Sequence, residues 1–190
     1  MKKVILASTS PRRREILKNT GINFDIISPS YDENIQNKFF SYSLIENTAI
    51  NKGLSAAKKA GRYSVIISAD TVVVFDNIVL GKPRDYDDAL RMLSMLSGKT
   101  HKVVTSVCFI DNETGKKIVK SETSEVTFNE LTLDMIKDYI FAFKPYDKAG
   151  SYGIQELRED FVKEINGDYD NIVGLPSKLV TNMLKEAGLL

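Results

Sequence analysis

The twelve residues Ser64-Val65-Ile66-Ile67-Ser68-Ala69-Asp70-Thr71-Val72-Val73-Val74-Phe75 constrain the chain more than any other stretch. Almost all are apolar or β-branched, and the run ends at Asp76-Asn77. Such a run reads as a buried strand. One carboxylate, Asp70, stands inside it between small neighbours. A buried carboxylate protonates rather than keeping its charge, unless a hydrogen-bond donor, a cation or a cleft at the strand end meets it. Two readings follow. Either Ser68 or Thr71 caps Asp70 and the trio terminates a strand, or Asp70 is a working acid or base. Perturbed acids gather at functional sites, so the second reading leads.

The surrounding composition narrows the class. A chain of 190 residues buries a sizeable core as one domain or two small lobes. Its net charge of +1 gives no molecule-wide field for nucleic acid or membrane, so any anion site is a local cluster. Tyr and Phe are not interleaved with a basic stripe, which speaks against a nucleic-acid-binding module. The single Cys108 excludes an internal disulfide and fits a reducing compartment. It sits in the apolar run 103–110 and reads as a small buried hydrophobe. The apolar N-terminal run before Arg12-Arg13-Arg14 is too short for a signal peptide, and no stretch approaches the ~20 apolar residues of a membrane span. The expectation is a soluble, cytoplasmic protein, with residues 1–190 as one catalytic domain of two lobes and no linker.

Read in order, a short strand over 3–8 runs into Ser8-Thr9-Ser10-Pro11-Arg12-Arg13-Arg14. Ser10 is a suitable N-cap and Pro11 fits the first helical position, with the helix stopping near Gly21. Three arginines in a first turn oppose the helix dipole, which favours anions there. A bound anion completes that arrangement, because free N–H groups, serine hydroxyls and guanidinium forks at a strand-to-helix turn form a phosphate site. The rival reading is a solvated basic helix end. No glycine-rich nucleotide fingerprint is present.

Residues 22–28 read as a second strand, followed by a loop with the acids Asp32 and Glu33. Ser43-Leu44-Ile45-Glu46 reads as a capping box opening a helix that Gly61 closes. Lys52 lies on that helix, off its apolar positions, and is unremarkable by itself. Asp76-Asn77 signals a tight turn to a returning strand. In Gly81-Lys82-Pro83 the lysine is presented between a permissive and a stiff residue, which suits a phosphate contact. Asp85 caps the next helix, with Leu90, Leu93 and Leu96 on one face and Met92 and Met95 as core filler. His101 is the only histidine, so no histidine metal cluster exists. A hairpin over 103–128 and a helix capped by Thr132 come next. Gly150 and Gly153 then allow unusual backbone, and Gln155 donates and accepts in one plane, as reading a base edge requires. A strand over 161–165, an acidic loop over 167–171 and a helix over 178–187 finish the chain. The order β-α-β-α-β-β-α-β-β-α-β-α argues for an α/β, mixed α+β fold with a mixed sheet.

Six motifs in order, Ser8-x-Ser10-Pro11-Arg12-Arg13, Ser68-Ala69-Asp70-Thr71-Val72-Val73, Gly81-Lys82-Pro83, Ser97-Gly98-Lys99-Thr100-His101, Asp147-Lys148-Ala149-Gly150-Ser151-Tyr152-Gly153-Ile154-Gln155 and Gly174-Leu175-Pro176, resemble the Maf family of nucleoside triphosphate pyrophosphatases. The resemblance implies an elongated mixed sheet flanked by helices, two lobes around a central cleft, similar to the inosine triphosphate pyrophosphatases. It implies hydrolysis between the α- and β-phosphates with a divalent metal, Mg²⁺ or Mn²⁺. By motif position Asp70 matches the proton acceptor. Arg12, Thr71 and Gln155 match the positions that set base preference, and resemble the branch acting on dTTP and UTP. Glu33, Lys52 and Lys82 match further polar cleft residues. The chain departs from the family at Lys144, where an acid is common, and at Glu156, where glycine is common.

The chemistry of the residues agrees with that resemblance. Cleaving a phosphoanhydride requires neutralising several negative charges and aiming a water in line with the leaving group. Arg12, Arg13, Lys52 and Lys82 supply charge, with Ser8 and Ser10 as phosphate contacts. Asp70 is expected to work either with a water whose pKa a metal lowers or with its own pKa raised by burial. Glu33 is the candidate metal contact and Asp32 its rival. The alternatives are a pyrophosphatase for modified or 7-methyl-GTP nucleotides, or a nucleotide-binding cell-division regulator without turnover. The partner expected is a nucleoside triphosphate, and a homodimer stays open.

Overall fold

The computed structural model describes all residues except Met1, Asp32, Glu33, Asn34, Gln36 and Asn37. The elements run β1 (Lys3–Ala7), α1 (Pro11–Lys18), β2 (Asp25–Ile26), α2 (Tyr42–Ala57), β3 (Ser64–Phe75), β4 (Ile78–Leu80), α3 (Tyr86–Leu96), β5 (Thr100–Asp111), β6 (Lys117–Phe128), α4 (Leu133–Phe143), β7 (Val162–Asn166), α5 (Tyr169–Val173) and α6 (Ser177–Glu186), with short 3₁₀ turns at Ala149–Ser151 and Ile154–Glu156. This is the expected order with one helix added, since the acidic stretch 167–171 runs into α5 rather than remaining a loop. Asp168 caps it, accepting from the N–H groups of Asp170 and Asn171.

Among the described residues the strands form one seven-stranded sheet, ordered β2-β1-β3-β5-β6-β7 with β4 hydrogen-bonded to β3. β1 lies parallel to β2 and β3, while the β3–β4, β3–β5, β5–β6 and β6–β7 pairs are antiparallel. The sheet is mixed and flanked by helices, as the sequence led one to expect. The β3–β4 turn has φ of 49° at Asp76 and 63° at Asn77, the left-handed pair a two-residue hairpin requires.

The long strand β3 belongs to two neighbours on one edge. Its first half, Ser64 to Ser68, pairs with β1, and its end, Val73 to Phe75, pairs with β4. Ala69 to Val72 fall between the two registers, paired only with β5 on the other edge. The carboxylate of Asp70 therefore stands at a gap in the sheet edge, not in the middle of a closed ladder.

Alternation along β3 then sorts its side chains. Val65, Ile67 and Ala69 pack with Ile16 and Leu17 of α1 and Val180, Met183 and Leu184 of α6. Ile66 packs on the other face with Ala49 and Ala56 of α2. Beyond the gap, Val73 joins a core with α3, α4 and Phe161. Cys108 lies in the α2-side core, and burial pushes its thiol up to about 11, which makes it the inert apolar residue expected.

Several local expectations need correction. The cap of α2 is Ser41, whose hydroxyl accepts from the Leu44 N–H, so Ser43-Leu44-Ile45-Glu46 lies inside the helix rather than opening it. α2 ends at Ala57, before Gly61. The strand expected over 22–28 shrinks to Asp25–Ile26, because β1 offers only a two-residue register on that side. Met92 is core filler, but Met95 is exposed at 36 %. The caps Ser10, Asp85 and Thr132 are as expected.

Candidate active site

An open cleft of about 590 Å³ lies against the gap in β3. Every described residue singled out from the sequence as a site residue lines it: Ser8, Ser10, Arg12 and Arg13 at the entry to α1, Lys52 from α2, Asp70 and Thr71 from β3, and Lys82 and Gln155 from loop segments. Glu33 and Asp32 lie outside the described residues. Among the described lining residues five are cationic (Arg12, Arg13, Lys52, Lys82, Lys148) and three anionic (Asp70, Asp147, Glu156), although the whole chain carries only +1. The excess is local, as a polyanion site requires. Val72, Val73, Val103, Ile154 and Ile172 add an apolar portion to the wall.

Asp70 is 2 % exposed and its Oδ1 accepts from the Lys52 Nζ at 2.5 Å. Neither neighbour caps it. The Ser68 hydroxyl donates to the Ala49 carbonyl, and the Thr71 hydroxyl belongs to another network. The capping alternative therefore gives way to a buried ion pair. Lys52 is 6 % exposed, on the helix face formed by Thr48, Ala49, Gly53 and Ala56. Gly53 sets the helix height: a Cβ there would come within 2.7 Å of Ser68 Oγ and 2.8 Å of Ile110 Cδ1. The close approach delivers the lysine to the strand. Its signal in the sequence was the run of small residues around Lys52 rather than the lysine itself.

Arg13 does more than its place in a basic turn suggested. Its guanidinium donates to the carbonyls of Ala69 (2.8 Å) and Gly174 (2.8 Å) and to Thr71 Oγ1 (2.9 Å). The Ala69 carbonyl lies in the stretch without a strand neighbour on that edge, so Arg13 takes the place of the missing ladder. Thr71 Oγ1 also meets Thr105 Oγ1 at 2.9 Å. Alternation turns Thr71 to the sheet face opposite Asp70, which is why one joins Arg13 and the other Lys52. The Ser8 hydroxyl accepts from the Ser10 N–H at 3.1 Å, and Ser10 caps α1.

Arg12 reaches across the cleft to Asp147, with Nη1 and Oδ2 3.7 Å apart. Burial pushes the Asp147 carboxyl up, but its hydrogen bond to Lys148 and the Lys148 and Arg12 charges outweigh that and hold it below the usual range. Lys148, only 8 % exposed, pairs with Asp147 at 2.8 Å and with Glu156 at 3.2 Å. No local pattern in the sequence assigns these three charges to one another. The loop they belong to is seated by Gly150, whose φ is +66° and where a Cβ would meet Val73 Cγ2 at 2.7 Å. His101 Nε2 and the Tyr152 hydroxyl lie 2.7 Å apart under the same loop. Burial pushes the His101 imidazole down to about 4, so it is neutral at physiological pH.

Among the described residues no three His, Cys, Asp or Glu side chains gather as a metal site. The donor chemistry nevertheless suits a hard cation of the magnesium type, which takes one or two carboxylates and completes its shell with water and phosphate oxygens. Asp70 is such a carboxylate.

Comparison with known proteins agrees with this geometry. The family model described as Maf-like protein matches residues 3–187. The dTTP/UTP pyrophosphatase of Thermosipho africanus is 46% identical over 188 residues, covering 99% of this chain and 95% of that one. That of Alkaliphilus oremlandii is 44% identical over 176 residues, covering 93% and 91%. Among solved structures, the Ham1 proteins of Staphylococcus aureus (TM-score 0.55, 15% identity) and Coxiella burnetii (TM-score 0.56, 14% identity) each cover 98% of this chain and 100% of their own, a likeness of fold. With the motif order, the cleft and a match over nearly every residue in accord, the chain belongs to the Maf family.

Proposed function

We propose that this protein hydrolyses nucleoside triphosphates, dTTP and UTP foremost, to the monophosphate and pyrophosphate. The observation that carries the reading is the buried Asp70–Lys52 pair opening onto a cleft whose walls hold an excess of cations. The names of the close relatives support the same reaction and bases.

In this reading the triphosphate lies along the first turn of α1 and Lys82, whose charges offset its own. Arg12 exchanges Asp147 for a substrate oxygen. Asp70 accepts the proton of the attacking water, which general-base catalysis makes worth about 10²–10⁴-fold in rate. Lys52 fixes which carboxylate oxygen faces the cleft. Arg13 acts mainly by positioning, holding Ala69, Thr71 and Gly174 so that the strand gap keeps its shape. A Mg²⁺ or Mn²⁺ ion held by Asp70 and the phosphate oxygens would supply charge neutralisation and a more acidic water. At the far end Gln155, exposed and making no hydrogen bond to a described residue, presents its amide to the base edge.

Product analysis tests the proposal. The protein is mixed with Mg²⁺ and each of dTTP, UTP, CTP, GTP and 7-methyl-GTP. Monophosphate plus pyrophosphate from dTTP and UTP is the expected result. Preferred turnover of 7-methyl-GTP would overturn the base assignment of Arg12, Thr71 and Gln155. Binding without turnover would overturn the enzymatic reading.

A further inference from the structure

Gln155 stands in a turn that is fixed on both sides of it. Before it, Tyr152 is 6 % exposed against His101 and Phe128, and Ile154 is 9 % exposed in the α3–α4 core. Between them the Gly153 N–H donates to the Tyr139 hydroxyl at 3.0 Å. After it, Glu156 Oε2 accepts from the same Tyr139 hydroxyl at 3.2 Å, and Oε1 pairs with Lys148 at 3.2 Å. The turn closes on itself through the Glu156 N–H to Gly153 carbonyl bond, at 2.9 Å. One phenol on α4 thus holds the residues on both flanks of Gln155, and a buried lysine holds the outer flank a second time. Gly153 makes the clasp fit: a Cβ there would lie 2.9 Å from Glu156 Oε2 and 3.0 Å from Lys148 Cε. Tyr139 is 5 % exposed, and burial pushes its phenol up, so it is always the donor to Glu156.

We infer that Glu156, clasped by Tyr139 and Lys148, is a positioning residue for base selection: it preorganises the 153–156 turn so that Gln155 meets the base edge in one orientation. The inference rests on the proposed triphosphate reading and deepens it. A single exposed amide on a free loop would lose rotamer and backbone freedom on binding any base, and would discriminate weakly. A turn fixed in advance spends its hydrogen bonds on the matching base and leaves them unmade with the wrong one. The clasp meets the charges of the phosphate end only through Lys148, which keeps Asp147 as its partner when Glu156 is removed, so a base-less polyanion responds far less than a base.

The test is equilibrium binding by calorimetry in EDTA, where no turnover complicates the reading, with dTTP, CTP and inorganic tripolyphosphate as probes. Wild type is compared with Glu156→Gln, Glu156→Ala and Tyr139→Phe. The expected result is a wild-type preference for dTTP over CTP that falls by about tenfold in Glu156→Ala, the equivalent of one charge-assisted hydrogen bond. Glu156→Gln, which keeps an acceptor for Tyr139, loses less. Tyr139→Phe combined with Glu156→Ala loses less than the sum of the two singles, because one clasp is broken twice. Tripolyphosphate affinity stays within about twofold throughout, a pattern that general loosening of the fold would not give. Wild type that prefers dTTP, with the preference intact in Glu156→Ala, overturns the clasp and leaves the function standing. Wild type that binds neither dTTP nor tripolyphosphate overturns both.

Discussion

Asp70 and Gln155 face one cleft, yet the protein holds them by different means. Asp70 is set by regular structure: a strand register, a gap between two neighbouring strands, and a helix brought close by Gly53. Gln155 is set by a loop whose order comes from glycines, a buried histidine–tyrosine contact and a string of charges through Glu156, Lys148, Asp147 and Arg12. Chemistry tolerates little positional error, and rigid elements supply that. A loop can be changed without rebuilding a sheet, which suits a part whose task is selection. The difference teaches where damage should fall. Changes at the Asp70 end should cost stability and rate, and changes at the Gln155 end should cost selection.

The sharpest break in that comparison is Lys52→Met, which removes the cation beside a buried carboxylate. Removing one partner of a buried pair costs about 3–5 kcal/mol. Urea unfolding should show a loss of that order, and a neutral result would mean that the pair does not hold the helix and strand together.

Acid should act on the loop end through His101. His101 has a folded-state pKa of about 4 against an ordinary 6.5, so between those values the unfolded chain takes up a proton that the folded one refuses. Its contribution to stability is intact above pH 6.5, falls as pH drops toward 4, and is flat below that. The window of about 2.5 units corresponds to about 3 kcal/mol. Unfolding curves at pH 7, 5.5 and 4.5 should show this slope, and His101→Asn should flatten it.

Gly53→Ala comes next, with about 1–3 kcal/mol from overpacking against Ser68 and Ile110. Turnover should fall with it, because the helix that delivers Lys52 must shift outward. Unchanged turnover would show that the helix height does not set the pair. The smallest effect belongs to Asp147→Asn. Its side chain is 65% exposed and its contact with Arg12 is 3.7 Å, so stability should change by less than about 1 kcal/mol. A larger loss would show the charge string to be part of the folding core rather than of the loop alone.

How much of this was legible beforehand follows the same division. β3, its turn, the caps Ser10, Asp85 and Thr132, and a carboxylate buried within β3 are legible in local patterns of period and capping, which short windows of sequence carry. Lys52 was harder. It stands off the apolar positions of its helix with no local signal of its own, and only a sheet drawn close by Gly53 turns that helix face inward. The capping box at Ser43 misled because Ser41 sits two residues earlier and caps as well, and tertiary context chose it. The clasp of Tyr139, Lys148 and Glu156 had no local sign, since its members are 9 and 17 residues from Tyr139 and meet only when the loop folds over α4. Nothing local to Arg13 reveals that its guanidinium meets an edge carbonyl on a strand 56 residues away.

The most direct test of the central claim is Asp70→Asn, assayed on dTTP at saturating Mg²⁺ with the fold checked by circular dichroism. The account predicts that dTTP still binds and that turnover drops by about 10²–10⁴-fold. Turnover close to wild type would contradict it, and would move the proton acceptor to some other group in the cleft.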